Sequence, residues 1–329
     1  MKLKYFFCLP ALIIFFSKSS FSKDSLDKYI QKMSDRQKIG QICLMNFRFW
    51  EENSAPLPNV NRSGAENLGK SKYKGLTSIN PEVEKIIADY SIGSVILFAE
   101  NISNITTTKA LIQAMDNAAA KSGNPPLIFA LDQEGGAVSR INEYFHFPAA
   151  MAYEQNASLE DTQKAGYYTA LQLKEWGFDI DFAPVCDVSN NQANPVIGIR
   201  AFSSSPKIVA EYSVAFAEGL KQGGIIPCAK HFPGHGDTAT DSHIGLPCVD
   251  KPYDEWKEIE YIPFKKNIKK KIPMIMTAHI QMPQLDSTEQ FCDKSSSNMI
   301  VTATLSNKIL TGILRKKLRY KGVIVTDAM

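Results

Sequence analysis

Several things that would place a chain by composition alone are missing from this one. There is no strong excess of either charge, since 37 Lys and Arg stand against 34 Asp and Glu for a formal net charge of +3 over 329 residues. That balance excludes the basic footprint of a nucleic-acid binder and gives no preference for a membrane surface. The six cysteines contain no CxxC or CxxH spacing, so zinc-ribbon and thioredoxin-type motifs are excluded. Low-complexity tracts and short internal repeats are absent, which excludes solenoids and disorder-dominated chains. The longest apolar run, Tyr5 to Phe16, falls short of the roughly 20 residues a membrane span needs, so no stable membrane insertion is expected.

That run has its own explanation. It follows a short basic start (Lys2, Lys4) and precedes the small residues Ser20 and Ser22, the layout of a secretory signal over residues 1–22. An exported protein is expected: periplasmic, cell-surface or extracellular. Cleavage would remove Lys2, Lys4 and Lys18 and bring the net charge to zero. It would also remove Cys8, leaving Cys43, Cys186, Cys228, Cys248 and Cys292, an odd and scattered set read mostly as small buried hydrophobes.

What remains, residues 23–329, alternates two patterns. Short β-rich apolar runs recur at 41–47, 94–99, 127–132, 179–185, 225–231, 273–279 and 322–327. Their near-continuous hydrophobicity suits strands of a parallel sheet covered on both faces. Helical spacing separates most of them, as at 105–121, 158–177, 205–224 and 304–318, with Ser158, Ser205 and Thr304 as expected N-caps and Gly177 and Gly223 as expected stops. Strand–helix alternation gives an α/β fold of βαβ units. Asp132, Lys230 with His231, His279 and Asp327 each end a different strand, and a closed barrel gathers all such ends at one mouth, where an open sheet gathers only those at its switch point. A (β/α)8 TIM-type barrel follows, with seven of its eight strands visible. The polar stretch 49–81 reads as an excursion after the first strand, and the basic cluster 265–271 as a solvated helix face.

The densest chemistry lies in KHFPGHGDTATDSH, residues 230–243, which holds three of the five histidines and two aspartates. A metal-binding pair on a helix, His231 with His235, is opposed by Pro233, Gly234 and Gly236, and no metal is expected. The Asp241-Ser-His243 element can bring a carboxylate against an imidazole for proton transfer near neutral pH. A loop histidine bonded only for structure is an equal reading on pattern alone.

Five motifs, DQEGGAVSR (132–140), NPVIGIRAF (194–202), KHFPGHGDTATDSH (230–243), MTAH (276–279) and GVIVTDAM (322–329), together resemble glycoside hydrolase family 3, in its β-N-acetylglucosaminidase branch. The resemblance runs from the first strand to the end and is closest to the exported Gram-positive form. It implies that Asp327 is a nucleophile, that His243 oriented by Asp241 is the acid/base, and that Asp132, Arg140, Arg200, Lys230 and His231 hold sugar. It further implies retaining hydrolysis of terminal β-N-acetylglucosamine from N-acetylglucosamine-containing muropeptides or other N-acetylhexosaminides, with no cofactor. His279 is as fitting in a structural role. The alternatives are a barrel that binds sugar without cleavage and a β-glucosidase or β-xylosidase relative. Family barrels continue past the nucleophile, so a chain stopping at Met329 is expected to be a truncated barrel, inactive or poorly folded by itself.

Overall fold

The computed structural model describes residues 23–50, 74–239, 246–293 and 296–328. The expected signal, most of the 49–81 excursion, and both Asp241 and His243 lie outside them. Among the described residues no helix is long and apolar enough to cross a membrane.

All seven expected strands form, and all are parallel. In the first of two compact units, β1 (Leu44–Asn46), β2 (Ser94–Ile96), β3 (Ile128–Leu131) and β4 (Ile180–Asp181) hydrogen-bond in chain order, with Leu44 beside Ser94, Ser94 beside Ile128 and Ala130 beside Ile180. Helices α1 (Pro81–Tyr90) and α2 (Ile105–Lys121) connect them. Each begins at an asparagine whose side chain accepts the third helical N–H, Asn80 from Val83 and Asn104 from Thr107.

In the second unit the chain following β4 pairs with β5 (Ile226–Phe232), for Cys228 N donates to Ala183 O at 2.8 Å and Cys186 N to Lys230 O at 2.6 Å. Next come β6 (Met274–Thr277) and β7 (Val323–Thr326). Every residue of β5 is buried, as a strand covered on both faces requires. One core packs Phe232 edge-on against Phe264 at 5.2 Å and continues through Trp256, Ile275, Ile309 and Leu314. Trp256 keeps its indole N–H satisfied by donating to Pro233 O.

The register of β7 is set before the strand begins. Arg315 donates to Tyr320 O and Gly322 O at 3.2 and 2.6 Å, and Tyr320 Oη donates to Val323 O at 3.0 Å. A Cβ on Gly322 would lie 2.3 Å from Pro273 O, so only glycine lets the chain approach β6 here.

Helix ends depart from the sequence reading in particulars. Ser158 caps α3 (Leu159–Trp176) as expected, accepting from Asp161 N, and Gly177 stops it at φ 95°. Ser205 makes no capping bond to α4 (Pro206–Gln222), where Pro206 already occupies the first turn. Gly223 is the C-cap of α4 as expected, and the left-handed residue is Gly224, one place further on. Thr304 is buried, its hydroxyl donating to Ala278 O, and the N–H of Ile309 is capped by Ser306; the segment from Lys308 to Lys317 is a π-helix. The lysines at 265, 266 and 269–271 are exposed, as a solvated face should be. None of the five described cysteines forms a disulfide, and among them only Cys186 and Cys228 are buried, fewer than the sequence suggested.

Candidate active site

The site of the second unit is built on a carboxylate that carried no assigned role. Glu134, from the DQEGG motif, receives two parallel bonds from Arg200, both 2.7 Å, and one from Lys230 Nζ at 2.6 Å. Glu134 and Lys230 are nearly inaccessible, at 4% and 2% of their side-chain surface. Burial alone would raise the carboxyl, but Lys230 and Arg200 outweigh it and hold Glu134 far below its ordinary range, fully ionised. One carboxylate therefore fixes the direction of both cations.

Arg200 reaches Glu134 because NPVIGIR folds as a pinned turn. Asn194 Oδ1 accepts from Val196 N and Ile197 N, and its Nδ2 donates to His235 O and Gly236 O. Gly236 passes so close to Val188 that a Cβ there would lie 1.8 Å from the Val188 carbonyl oxygen. Side chains are excluded at that position by contact, and the two loops stay together.

Asp187 organises the end of β5. Its side chain is fully buried and accepts from His231 Nδ1 at 2.7 Å, from His231 N at 3.2 Å and from His235 N at 2.7 Å. Burial would raise the Asp187 carboxyl, yet His231 and the His235 N–H keep it low. The His231 ring is thereby aimed so that its Nε2 stands 3.9 Å from Asp327 Oδ2. Asp187→Ala is expected to leave three N–H groups without their acceptor and to cost about 3 kcal/mol or more of stability, read from the denaturant midpoint.

Asp327 follows β7 directly. Its N–H donates to Thr277 O, its Oδ1 accepts from Ala328 N at 2.7 Å, and His279 Nε2 lies 3.2 Å from its main-chain oxygen. Burial pushes the carboxyl up, but His231, the Ala328 N–H, Lys230 and His279 together hold it below the usual range. The result is an ionised carboxylate that still presents part of its surface, facing a histidine.

Arg200, Lys230, His231 and Asp327 are thus brought together. Asp132 and Arg140 pair with each other at 3.8 Å within the first unit, each about four-fifths buried. Asp241 and His243 lie outside the described residues. His235, without a role in the sequence reading, is buried beside His231, with Nδ1 on the Thr238 hydroxyl; burial holds its pKa down and the ring neutral. Sequence reasoning passed over Glu134 and Asp187. Asp187 follows the run 179–185 by two residues, so the strand-end signal that marks Asp132 and Asp327 points close to it. Glu134 lies inside the DQEGG motif, but its burial and its pairing with Lys230 and Arg200 depend on residues far off in sequence.

Comparison with known proteins agrees with this geometry. Residues 35–329 match the glycosyl hydrolase family 3 N-terminal domain. Beta-hexosaminidase A of Pseudoalteromonas piscicida is 38% identical over 309 residues, covering 90% of this chain and 49% of that protein. The beta-hexosaminidase of Idiomarina loihiensis is 34% identical, covering 76% and 72%. Among solved structures, a family 3 beta-N-acetylglucosaminidase from Paenibacillus superposes with a TM-score of 0.76 at 30% identity, over 90% of this chain and 49% of that one. NagZ of Neisseria gonorrhoeae, in complex with N-trifluoroacetyl-D-glucosamine, gives 0.67 at 31%, over 76% and 71%. The chain spans about half the length of the Pseudoalteromonas and Paenibacillus proteins. Seven parallel strands with their connecting helices, five motifs in order and a match over nine-tenths of the sequence lead to one assignment: the chain belongs to glycosyl hydrolase family 3.

Proposed function

We propose that the protein hydrolyses terminal β-linked N-acetylglucosamine with retention of configuration, acting after export on peptidoglycan-derived fragments. The observation that carries this reading is Asp327, ionised and partly open at a strand end, facing His231 and held low in pKa with help from Lys230. An Asp327 oxygen attacks the anomeric carbon while the bond to the leaving oxygen breaks and His243 supplies the proton. Water then gives its proton to His243 and its oxygen to the anomeric carbon, which frees Asp327. Protons and electrons balance without metal or organic cofactor. Asp241 orients His243, while Lys230, His231 and Arg200 of the second unit are the residues we assign to sugar hydroxyls and carbonyls. The β-N-acetylglucosaminidase and N-trifluoroacetyl-glucosamine named for the structural neighbours favour the N-acetyl sugar.

Release of a nitrophenyl group from a β-N-acetylglucosaminide tests the reaction; binding without release would make the protein a sugar-binding barrel instead. His243→Ala is expected to slow cleavage of a natural disaccharide by about 10²–10⁴-fold, while an activated aryl glycoside, whose leaving group needs little protonation, loses far less. Equal losses on both would remove His243 from the acid role.

A further inference from the structure

Behind Glu134 and Arg200 stands a buried hydroxyl that packing does not explain. Tyr153, on the short helix Met151–Asn156, is 5% exposed, and its Oη has no hydrogen-bond partner among the described residues. Its ring rests on Phe202 at 6.0 Å, and Phe202 packs in turn on Tyr212 and Phe216. Within the same cluster the Tyr212 hydroxyl is satisfied, donating to Ala157 O at 3.0 Å. A phenylalanine at position 153 would pack on Phe202 equally well. The hydroxyl needs another reason, because a buried polar group without a partner is penalised.

A small cavity of the second unit supplies that reason. Tyr153 lines it with Glu134, Arg200 and Ala150, and the rest of the lining is apolar. About 10 Å³ of it is open to the centre of a water molecule, which is room for one water and no more. In so small a space every lining residue neighbours whatever occupies it. Wholly apolar cavities stay dry, but a water is held where it finds at least two polar partners, and here a carboxylate and a hydroxyl border the space. Glu134 has room for a further bond. Its Oε1 accepts from Arg200 Nη2 and Lys230 Nζ, whereas Oε2 accepts from Arg200 Nε and, as a carboxylate oxygen, carries a second lone pair. Burial pushes the Tyr153 hydroxyl above its ordinary range, so it stays protonated and donates.

We propose that Tyr153 is a positioning residue for Arg200, acting through one buried water that accepts from its hydroxyl and donates to Glu134 Oε2. The carboxylate that aims Arg200 and Lys230 is thereby aimed from behind. One motif, NPVIGIRAF, supplies both sides of the arrangement, with Arg200 on the carboxylate and Phe202 against the tyrosine ring. The role rests on the assignment of Arg200 to the sugar.

The test joins a high-resolution crystal structure to steady-state kinetics on the nitrophenyl β-N-acetylglucosaminide. In the parent protein a water is expected within hydrogen-bond distance of both Tyr153 Oη and Glu134 Oε2, and Tyr153→Phe loses or displaces it. A loosened Arg200 weakens substrate and transition state alike, so Tyr153→Phe is expected to raise KM about 3- to 10-fold with kcat within about twofold of the parent. Ala150→Val fills the cavity and keeps the hydroxyl; it is expected to raise KM in the same way and serves where Tyr153→Phe fails to fold. A parent cavity without ordered water overturns the proposal. So does a parent that cleaves the glycoside while Tyr153→Phe loses stability and keeps its KM, for the hydroxyl is then structural only and the proposed hydrolysis stands. A parent that holds the water yet neither binds nor cleaves the glycoside removes the sugar assignment, and this role with it.

Discussion

Asp327→Ala lowers kcat/KM toward a β-N-acetylglucosaminide by on the order of 10⁴-fold or more, if that carboxylate forms the covalent intermediate, because alanine cannot make the bond to the anomeric carbon. His231 faces the carboxylate at 3.9 Å, but its ring is held by Asp187 and does not replace it. The truncation also opens space beside the anomeric carbon on the face from which Asp327 attacks. Azide supplied at high concentration enters that space and yields the α-glycosyl azide from an activated substrate, whereas an enzyme using a different nucleophile gives no such product. A residual rate within about tenfold of the parent would end the assignment, since general acid/base help alone accounts for no more than about 10²–10⁴.

The second large effect falls on stability. Glu134→Gln removes a carboxylate that pairs with both Lys230 and Arg200, and breaking a buried ion pair from one side costs about 3–5 kcal/mol. The lowered carboxyl pKa gives the sign of the pH dependence. Its folded-state value lies below the ordinary 4.5, so Glu134 contributes stability above that pH and the contribution is lost as pH falls further. The parent protein should therefore lose stability on acidification below about pH 4.5 more steeply than Glu134→Gln does. Denaturant midpoints for both proteins at neutral and acidic pH check this; parallel curves would mean that Glu134 is not ionised in the folded state.

Strand placement was legible because it depends on a local property. A run such as IIPCAKH must be covered on both faces to exist as a strand, and the seven runs appear as strands with their boundaries shifted by only a few residues. Helix ends were less legible, because a cap is a contest between neighbours: Ser205 gives way to Pro206, and Thr304 is drawn inward to Ala278 O while Ser306 does the capping. Site residues divided the same way. Arg200, Lys230, His231 and Asp327 stand in motifs and do come together. What orients them, Glu134 across 66 residues to Arg200 and Asp187 across 44 to His231, is long-range pairing that no periodicity encodes.

The lock on the approach to β7 has a consequence for mutational tolerance. Thr326 aligns with Thr277, and Asp327 follows by one residue, so a shift of one place along the strand would put Thr326 or Ala328 where the carboxylate belongs and turn the neighbouring side chains to the opposite face. What prevents the shift is Arg315, whose two bonds to Tyr320 and Gly322 fix the length of chain between helix and strand. A single-residue deletion between Leu318 and Lys321 would leave every motif intact in the sequence and still displace the carboxylate we assign as nucleophile. The placement of the Asp327 carboxylate is thus stored in a stretch of chain that carries none of the five motifs.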